Sequence, residues 1–531
     1  MRRPTAVAMP MAADQKKQGG ADAGAWIAVA AGALGALMAT LDISITNSAL
    51  PQIQGEIGAT GTEGTWISTG YLVSEVVMIP LAAWLTRVFG LRNFLMTNAV
   101  LFSVFSMICG LSTSLPMMIV GRVGQGFTGG ALIPTAQTII ATRLPKSQIP
   151  VGMAAFGSIV LLGPMLGPVI GGWLTENISW AWCFFLNLPI CVALIALLFM
   201  GLDAEKVRWR LFVTADWLGI AGLALSLSFL TIVLEEGQRE RWFESQYIIA
   251  GTVLMVIGFI MLAVAQATNP EPVIKLKLLL NKNYASVIFI VVIVGASLYS
   301  VLYLLPQFLS IVAGYNAEQS GFVMLLSGLP AFLMMPFLPK LLAKFSVGAI
   351  VAVGLLCFSA SCMLNLDLTA QTTGPDFSWS QILRGFGLVF CMMPLNQASM
   401  AAVDSKDSGD AAGLYNMARN IGGSIGLALI GTFIDRRTEL HTDTLREAIT
   451  ANSPLAQERV TAMAASFIAQ HGDTALAQLQ ALKQLAQETT QQAVVITYTG
   501  AFFLLGVVMF CCIPLTIFLR RPKAGAPVEM G

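Results

Sequence analysis

Apolar runs long enough to cross a lipid bilayer recur along almost the whole chain, and they constrain its fold more than any other feature. A hydrocarbon layer about 30 Å thick needs about 20 consecutive apolar residues in a helix. The chain has fourteen such runs, near residues 25–51, 63–86, 92–111, 115–142, 149–173, 180–201, 214–234, 245–267, 284–312, 317–343, 347–367, 378–403, 409–434 and 493–519. The pattern predicts an all-α polytopic membrane protein with fourteen transmembrane helices.

Composition agrees with this fold class and excludes several functions. Of the 531 residues, 56% are hydrophobic and 11% are charged, whereas soluble domains carry about 25% charged residues. A net charge of +1 gives no reason to expect a nucleic-acid partner. The eight cysteines lack the spacing of a disulfide framework or a metal site, and the two histidines, His441 and His471, lie far apart. The sequence therefore predicts no metal site and no catalytic site.

The distribution of Lys and Arg orients the chain in the membrane. These residues gather in alternate short loops and in both tails, and this asymmetry predicts that both termini are cytoplasmic. Residues 1–24 lack the apolar core of a signal peptide and are interpreted as a disordered cytoplasmic tail. Residues 520–531 are the second cytoplasmic tail.

Two parts of the chain repeat each other. The segment "ALPQIQGEIGATGTEG" (49–64) is similar to "LLPQFLSIVAGYNAEQ" (304–319), and Arg122 with its following Pro and Gln is mirrored by Arg384. The alternative is a chance similarity between apolar segments. Paired halves are typical of secondary transporters, whose site lies between the halves near the middle of the membrane. The repeat predicts a six-helix half at 25–201, an inserted helix pair at 202–270 and a second six-helix half at 271–519.

Asp42 lies inside the first apolar run, where a carboxylate costs about 2.5–3.5 kcal/mol on insertion scales. Its helical face is small or polar, and Thr46 follows it by one turn, so the face is expected to point into the bundle. Glu75 is similarly deep in the second run. Burial favours the protonated form of a carboxylate, which makes both residues candidate proton carriers. A role in helix packing is the alternative for each.

Three arginines also lie within apolar runs. Arg122 enters the fourth run at a depth similar to that of Asp42, and we predict that it is the electrostatic partner of that carboxylate. Arg384 and Arg419 lie in the second half. For these two, a functional role and a structural role in satisfying carbonyls or a carboxylate remain equally open.

The fifth run contains "GPMLGPVIGGWL" (163–174), which combines two Gly-Pro pairs with a Gly-Gly pair. Such a helix is predicted to kink and to pack closely against its neighbours, which suits an interface between moving halves.

Residues 437–492 differ from the rest because they are rich in Ala, Gln, Leu and Thr. Two amphipathic helices are expected there, with Ser453 and Asp473 as N-caps and Gly472 as a stop. The sequence thus predicts a helical hairpin outside the membrane.

Several of these motifs resemble the major facilitator superfamily, in its fourteen-helix EmrB/QacA-type drug:proton antiporter branch. "LDISITNSALP" is similar to the first-helix motif of that branch, and "IVGRVGQGFTGGALIP" to its fourth-helix arginine motif. "GPMLGPVIGG" resembles the antiporter motif of helix 5, and "NMARNIGGSIG" the thirteenth helix. The resemblance covers nearly the whole chain after residue 25.

The resemblance implies export of lipophilic or amphipathic compounds in exchange for protons across the bacterial cytoplasmic membrane, with the proton gradient in place of a cofactor. It assigns the proton role to Asp42 and the relay role to Arg122. In Gram-negative members, segment 437–492 would be expected to meet a periplasmic adaptor and, beyond it, an outer-membrane channel; the alternative is a passive loop. The interface role falls on Gly163, Pro164, Gly167, Pro168, Gly171 and Gly172.

The sequence departs from the family pattern at one point, and two alternative functions are considered beside export. The loop after the second run, "WLTRVFGLRNF", lacks the usual acidic residue, which puts the salt bridge of that loop in doubt. A proton-driven symporter that imports solutes is one alternative function, and the helix-5 motif argues against it. A non-transporting sensor or scaffold is the other, and it would need a signalling domain.

Overall fold

The computed structural model of this chain describes residues 22–145, 147–270, 272–449, 453–471 and 474–519. These residues are mostly helical, and most of both predicted tails lie outside them. The main helices in chain order are α1 (Ala23–Glu56), α2 (Trp66–Phe89), α3 (Leu91–Gly110), α4 (Leu115–Gly129, continued by Leu132–Arg143), α5 (Ile149–Asn177), α6 (Ala181–Phe185, continued by Asn187–Gly201), α7 (Trp217–Glu236), α8 (Gln246–Thr268), α9 (Lys282–Ile311), α10 (Ala317–Met334, continued by Leu338–Lys344), α11 (Val347–Met363), α12 (Ser378–Ala401), α13 (Ser408–Ala448), α14 (Pro454–His471) and α15 (Thr474–Cys511).

The helices agree with the fourteen predicted membrane segments. Within the described ranges, eleven helices are long and apolar enough to span a bilayer, namely α1–α3, α5–α10, α13 and α15. The remaining segments are α4, which is broken after Gly129, the shorter α11, and the more polar α12. The predicted all-α membrane fold is therefore confirmed.

Successive segments alternate in direction, which defines two faces of the bundle. The amino-terminal face is the side at which α1 begins, α2 ends and α13 begins; the distal face is the opposite side. An exposed apolar surface surrounds the bundle; on α8 it includes Val253, Val256 and Ile260. Such a surface is suited to contact with lipid.

Each half has a buried apolar cluster of its own. In the first half, Ala36, Phe102 and Leu198 pack together. In the second half, Phe308 and Phe358 are at the centre of a larger cluster. A third cluster joins α2, α7 and α13, so the inserted helix α7 contacts both halves.

The two helices predicted within 437–492 are present as α14 and the first part of α15, but the segment is continuous with the membrane helices on either side. Helix α13 has 41 residues and α15 has 38, which at 1.5 Å per residue gives about 60 Å each, roughly twice the hydrocarbon thickness. Both membrane helices therefore continue beyond the distal face, because Ala, Leu, Glu, Gln and Arg keep helix propensity high after the apolar pattern ends. Only α14 is a separate element, and Arg459 on it lies 3.1 Å from Glu488 on α15. Gly472 and Asp473 lie outside the described residues.

Candidate functional site

Asp42 lies within the first half, and its carboxylate is surrounded by three donors. Its Oδ2 accepts a hydrogen bond of 2.6 Å from Nη1 of Arg122. Its Oδ1 accepts from the side-chain amides of Gln125 at 3.0 Å and Asn187 at 2.6 Å. Asp42 is 1% exposed, as is Thr46 one turn further along α1. The structure thus brings together the two charged residues that the sequence pairs.

The guanidinium of Arg122 has further partners on α2 and α4. Its Nε donates to the carbonyl oxygen of Ile67 at 3.2 Å, and its Nη1 also donates to Oε1 of Gln125 at 3.0 Å. Its Cζ lies 4.3 Å from the centre of the Tyr71 ring, within the range of a cation–π interaction. A buried charge needs such compensation because it has lost its water.

Ser106 on α3 closes this network. Its hydroxyl accepts from the amides of Gln125 at 3.1 Å and Asn187 at 3.0 Å, and it donates to the carbonyl of Phe184 at 2.8 Å. The network therefore joins α1, α2, α3, α4 and α6 through side chains or carbonyls that are removed from solvent. A network satisfied to this degree holds its members in one geometry.

Glycines allow α4 to approach α2 closely beside the network. A Cβ added at Gly126 would lie 2.2 Å from the carbonyl oxygen of Tyr71, and one at Gly130 would lie 2.8 Å from that of Glu75. Any larger residue at either position would push the two backbones apart. The glycines of "VGQGFTGG" thus allow the close contact between α2 and α4 that places Tyr71 and Glu75 next to Arg122.

Glu75 follows Tyr71 by one turn of α2 and is 3% exposed. Across the described ranges, no donor makes a hydrogen bond or a salt bridge within 4.0 Å with its carboxylate, in contrast to Asp42. Its electrostatic neighbours are Arg419 of the second half, then Arg122 and Asp42. Glu75 is therefore a buried acid between the two halves whose charge has no direct partner.

Arg419 on α13 lies opposite Glu75 in the second half. Its Nε and Nη2 are 3.4 Å from Oδ1 of Asn420, which also accepts from the hydroxyl of Tyr299 on α9 at 3.4 Å. Its positive charge interacts electrostatically with the hydroxyl groups of both Tyr299 and Tyr415. Arg419 thus belongs to the surface that faces the first half.

Arg384 has a different environment. It is 3% exposed and makes a hydrogen bond with Gln381 on its own helix, α12. No carboxylate of the described residues lies within salt-bridge distance of it. Each half therefore has a buried arginine at the repeated position, and among the described residues Arg122 has an acidic partner while Arg384 has none.

The predicted interface helix α5 has two different faces. Cβ atoms at Gly163, Gly167 and Gly171 would lie 2.2–2.4 Å from Thr40, Ser44 and Ser48, so this face packs against α1 within the first half. The second half is met by Pro168, which is near Gly321, and by Gly172, which is near Glu318. The interface prediction is therefore wrong for the three glycines that face α1, because they pack within the first half and not between the halves. Pro164 lies between the two sets, and α5 is continuous through both prolines.

The halves also meet at the amino-terminal face. Nη1 of Arg87, at the end of α2, lies 2.9 Å from Oδ2 of Asp410 on α13, and Nζ of Lys275 lies 3.3 Å from the same oxygen. Deeper in the bundle, the amide of Asn416 donates to Gln137 on α4 at 2.7 Å. The acid that is missing from the loop after α2 is therefore supplied by Asp410 in the other half.

No group of three His, Cys, Asp or Glu side chains in the described ranges could hold a metal ion. The eight cysteines are free, and most of them are buried. The site as built can hold a charge, a proton or an ionic ligand between two halves.

Comparison with known proteins places this arrangement in a family. The sequence model described as Major Facilitator Superfamily matches residues 32–427, about three quarters of the chain. The chain belongs to the Major Facilitator Superfamily.

Relatives within this superfamily match almost end to end. The colistin resistance protein EmrB of Acinetobacter baumannii is 32% identical over 499 residues, covering 94% of this chain and 97% of that protein. The multidrug export protein EmrB of Escherichia coli is 28% identical over 492 residues, covering 92% of this chain and 94% of that protein. Among solved structures, the human organic anion transporter MFSD10 has the same fold, with a TM-score of 0.57 at 14% identity over 91% of this chain and 99% of its own.

Sequence reasoning missed several residues of this superfamily member's site. Gln125 and Asn187 were not predicted, although Gln125 is one turn from Arg122 and Asn187 is an amide within an apolar run. Glu235 and Glu236, at the distal end of α7, were also missed. The one signal in the sequence for Asp410 is the basic loop after α2, which needs an acidic partner from another part of the chain.

Proposed function

We infer that this chain is a proton-coupled exporter of lipophilic or amphipathic compounds, which crosses the cytoplasmic membrane several times and works by alternating access. The observation that carries the inference is the buried network of Asp42 and Arg122 beside the unpaired carboxylate of Glu75. The names of the relatives, colistin resistance protein and multidrug export protein, support the substrate class. The proton gradient supplies the energy without a cofactor, and the chain carries out no enzymatic reaction.

The excess of Lys and Arg in the loops supports a cytoplasmic amino-terminal face, with both termini inside. In this arrangement the contacts of Asp410 with Arg87 and Lys275 close the cytoplasmic side. The structure would then correspond to a step at which exchange with the cytoplasm is blocked. Rocking of the halves must break these ion pairs to open that side.

Protons and a cationic substrate compete for the acidic residues in this mechanism. Asp42 and Glu75 take protons from the outer side, lose their attraction for the cation and release it. After the halves rock, the protons leave to the cytoplasm and the recharged carboxylates attract the next substrate. Arg122 stabilises the charged form of Asp42, so a proton that binds Asp42 must compete with this ion pair. Arg419 opposes protonation of Glu75 in the same way from the second half.

The extension beyond the distal face is proposed to bind a helical periplasmic adaptor, which would connect to an outer-membrane channel. Leu476, Leu479 and Leu482 are exposed by 43%, 66% and 53%, and their spacing places them along one side of α15. An exposed apolar row outside the membrane favours a protein partner over a passive loop. Leu479→Glu should reduce export from whole cells and leave flux in liposomes unchanged, while Leu280→Glu, at an exposed site on the amino-terminal face, should affect neither.

The central experiment uses purified protein in liposomes that contain a pH indicator. Tetraphenylphosphonium, a lipophilic cation, should evoke proton movement in the wild type and not in Asp42→Asn. Proton movement that persists in the variant would leave Asp42 structural and assign coupling to Glu75. Absence of proton movement with lipophilic cations in the wild type would exclude cation antiport. A symporter would instead move protons and substrate in the same direction.

A further inference from the structure

The inserted helix α7 lies in the groove between α2 of the first half and α13 of the second. Leu223 and Leu227 of α7 belong to one buried cluster together with Leu81 of α2 and Leu414 of α13. Any change in the angle between α2 and α13 must therefore change the contacts of α7 with at least one of them. The question is which half α7 follows.

Helix α7 is attached to α2 at both ends. At the amino-terminal face, the ring of Trp217 meets Trp84 edge to face at 6.3 Å, and in the segment that leads into α7 the backbone N–H of Arg208 donates to the carbonyl of Val88 at 2.7 Å. At the distal face, the hydroxyl of Thr69 donates to Oε1 of Glu236 at 2.8 Å. Glu236 is 2% exposed and also pairs with Arg239.

Polar contacts join the distal end of α7 to α13. The hydroxyl of Ser424 donates to Oε1 of Glu235 at 2.8 Å. Just beyond α7, the amide of Gln238 donates to Oδ2 of Asp435 at 2.6 Å. Glu235 and Glu236 are adjacent, and because neighbouring helical positions point in different directions, one reaches each half.

We propose that α7 moves with the first half, and that Glu235, together with Gln238, forms a distal latch between this half and α13. The latch is closed here, while Arg87 and Asp410 close the amino-terminal face, and it opens when the halves rock. The hydrogen bonds to α13 lie at one end and can be exchanged for water. In addition to the apolar cluster that all three helices share, α2 holds α7 by polar or aromatic contacts at both ends. Glu235 is thus a positioning residue of the transport cycle. This proposal rests on alternating access as the proposed function.

Reversible crosslinking tests which attachment must break. Two cysteines replace Glu235 and Ser424 in one variant, and Glu236 and Thr69 in its matched control. Both are made in a background with Cys357→Ser and Cys511→Ser, since Cys511 is exposed, Cys357 is half-buried and the other six are buried. A short bis-methanethiosulfonate reagent that a reductant can cleave bridges each pair, and tetraphenylphosphonium-evoked proton movement is measured in liposomes.

Bridging positions 235 and 424 should lower proton movement about tenfold, and the reductant should restore it. Bridging positions 236 and 69 should leave it within about twofold of the unbridged protein. Normal transport with positions 235 and 424 bridged, or an equal loss with positions 236 and 69 bridged, would overturn the latch. If the wild type itself shows no proton movement in this assay, the proposed cation antiport fails instead.

A second pair of variants covers the case in which the cysteine variants do not fold. Glu235→Gln keeps a hydrogen bond to Ser424, so transport should be near that of the wild type, whereas Glu235→Ala should change the maximal rate more than the substrate concentration at half-maximal rate. Glu240→Ala, in the turn after α7, is the control. A Glu235→Ala variant that matches this control in both parameters would also contradict the proposal.

Discussion

Nη1 of Arg122 lies 2.6 Å from Oδ2 of Asp42, and neither side chain is more than 1% exposed. A pair of this kind contributes little net stability when compared with apolar residues, because both charges have lost their hydration. Loss of one partner is different, since it leaves the other charge buried and unpaired.

Asp42→Asn should destabilise the protein by about 3–5 kcal/mol, because Arg122 then has no counter-charge. The double variant Asp42→Asn/Arg122→Gln should recover most of that loss. Thermal unfolding in detergent measures both. Asp404→Asn is the matched control, since its side chain is 77% exposed, and it should change stability by less than about 0.5 kcal/mol. An Asp42→Asn variant as stable as the control would show that Arg122 finds other compensation.

Glu75→Gln should leave stability almost unchanged and should strongly reduce proton movement. The carboxylate has no hydrogen-bonding or ion-pair partner among the described residues, so stability should change by less than about 1 kcal/mol. Substrate-evoked proton movement should fall about tenfold, because a neutral amide neither binds nor releases the coupled proton. Glu244→Gln, on the exposed distal turn, is the control in the same liposome assay. Undiminished proton movement in Glu75→Gln would remove this residue from coupling.

The membrane segments predicted from the sequence agree with the helices in the described part of the chain, eleven of which are long and apolar enough to span a bilayer, because membrane spans are dictated by length and hydropathy. The sequence also paired Asp42 with Arg122, since both are costly at similar depths and need each other. It could not predict Asn187 as a third partner, because the approach of α6 to α1 is decided by packing over the whole half. The end of α13 was not predicted, for a related reason. Apolarity indicates where a chain leaves the membrane, whereas helix propensity decides where the helix ends.

The face of α5 that meets the second half was also beyond sequence reasoning. The glycines and prolines of "GPMLGPVIGG" indicate close packing but not with which neighbour. Gly167 and Gly172 are both in this motif, yet one faces α1 and the other faces α10. The direction depends on how α5 is rotated about its axis, which no residue of the motif specifies alone.

Asp410 is predicted to keep the amino-terminal face closed. Asp410→Asn removes the charge that meets both Arg87 and Lys275, and partly exposed ion pairs contribute about 0.2–1 kcal/mol each. The open population should therefore rise by roughly two- to thirtyfold. Spin labels at Asp203 and Lys406, both exposed on that face, report the distance between the halves. Exchanging the charges in Arg87→Asp/Asp410→Arg should restore part of the closure, and no change in the distance distribution for Asp410→Asn would contradict this role.

The closure is also predicted to resist alkaline pH. Burial alone would lower the pKa of Lys275, but its hydrogen bond with Asp407 and the charge of Asp410 raise it above the ordinary value. Because the pKa of Lys275 is raised, its ion pairs stabilise the closed face fully at pH values below the unfolded lysine pKa of about 10.4. This stabilisation is lost only as pH rises through the higher pKa of the folded protein. The distance between the same labels should therefore be constant from about pH 7 to about pH 9. A gradual opening over that range would show that Lys275 loses its proton earlier than its partners imply.

Gly167 and Gly172 provide a matched pair for the packing of α5. A Cβ at Gly167 would lie 2.4 Å from Cβ of Ser44 and 3.1 Å from the backbone nitrogen of Ile45, so α1 and α5 must separate. Overpacking of this kind costs about 1–3 kcal/mol. A Cβ at Gly172 would lie 3.4 Å from Glu318, near ordinary contact. Gly167→Ala should therefore lower the melting temperature in detergent, while Gly172→Ala should leave it nearly unchanged and slow transport only, because it lies on the face that slides against α10. Equal melting temperatures for the two variants would show that α1 yields without cost at Ser44.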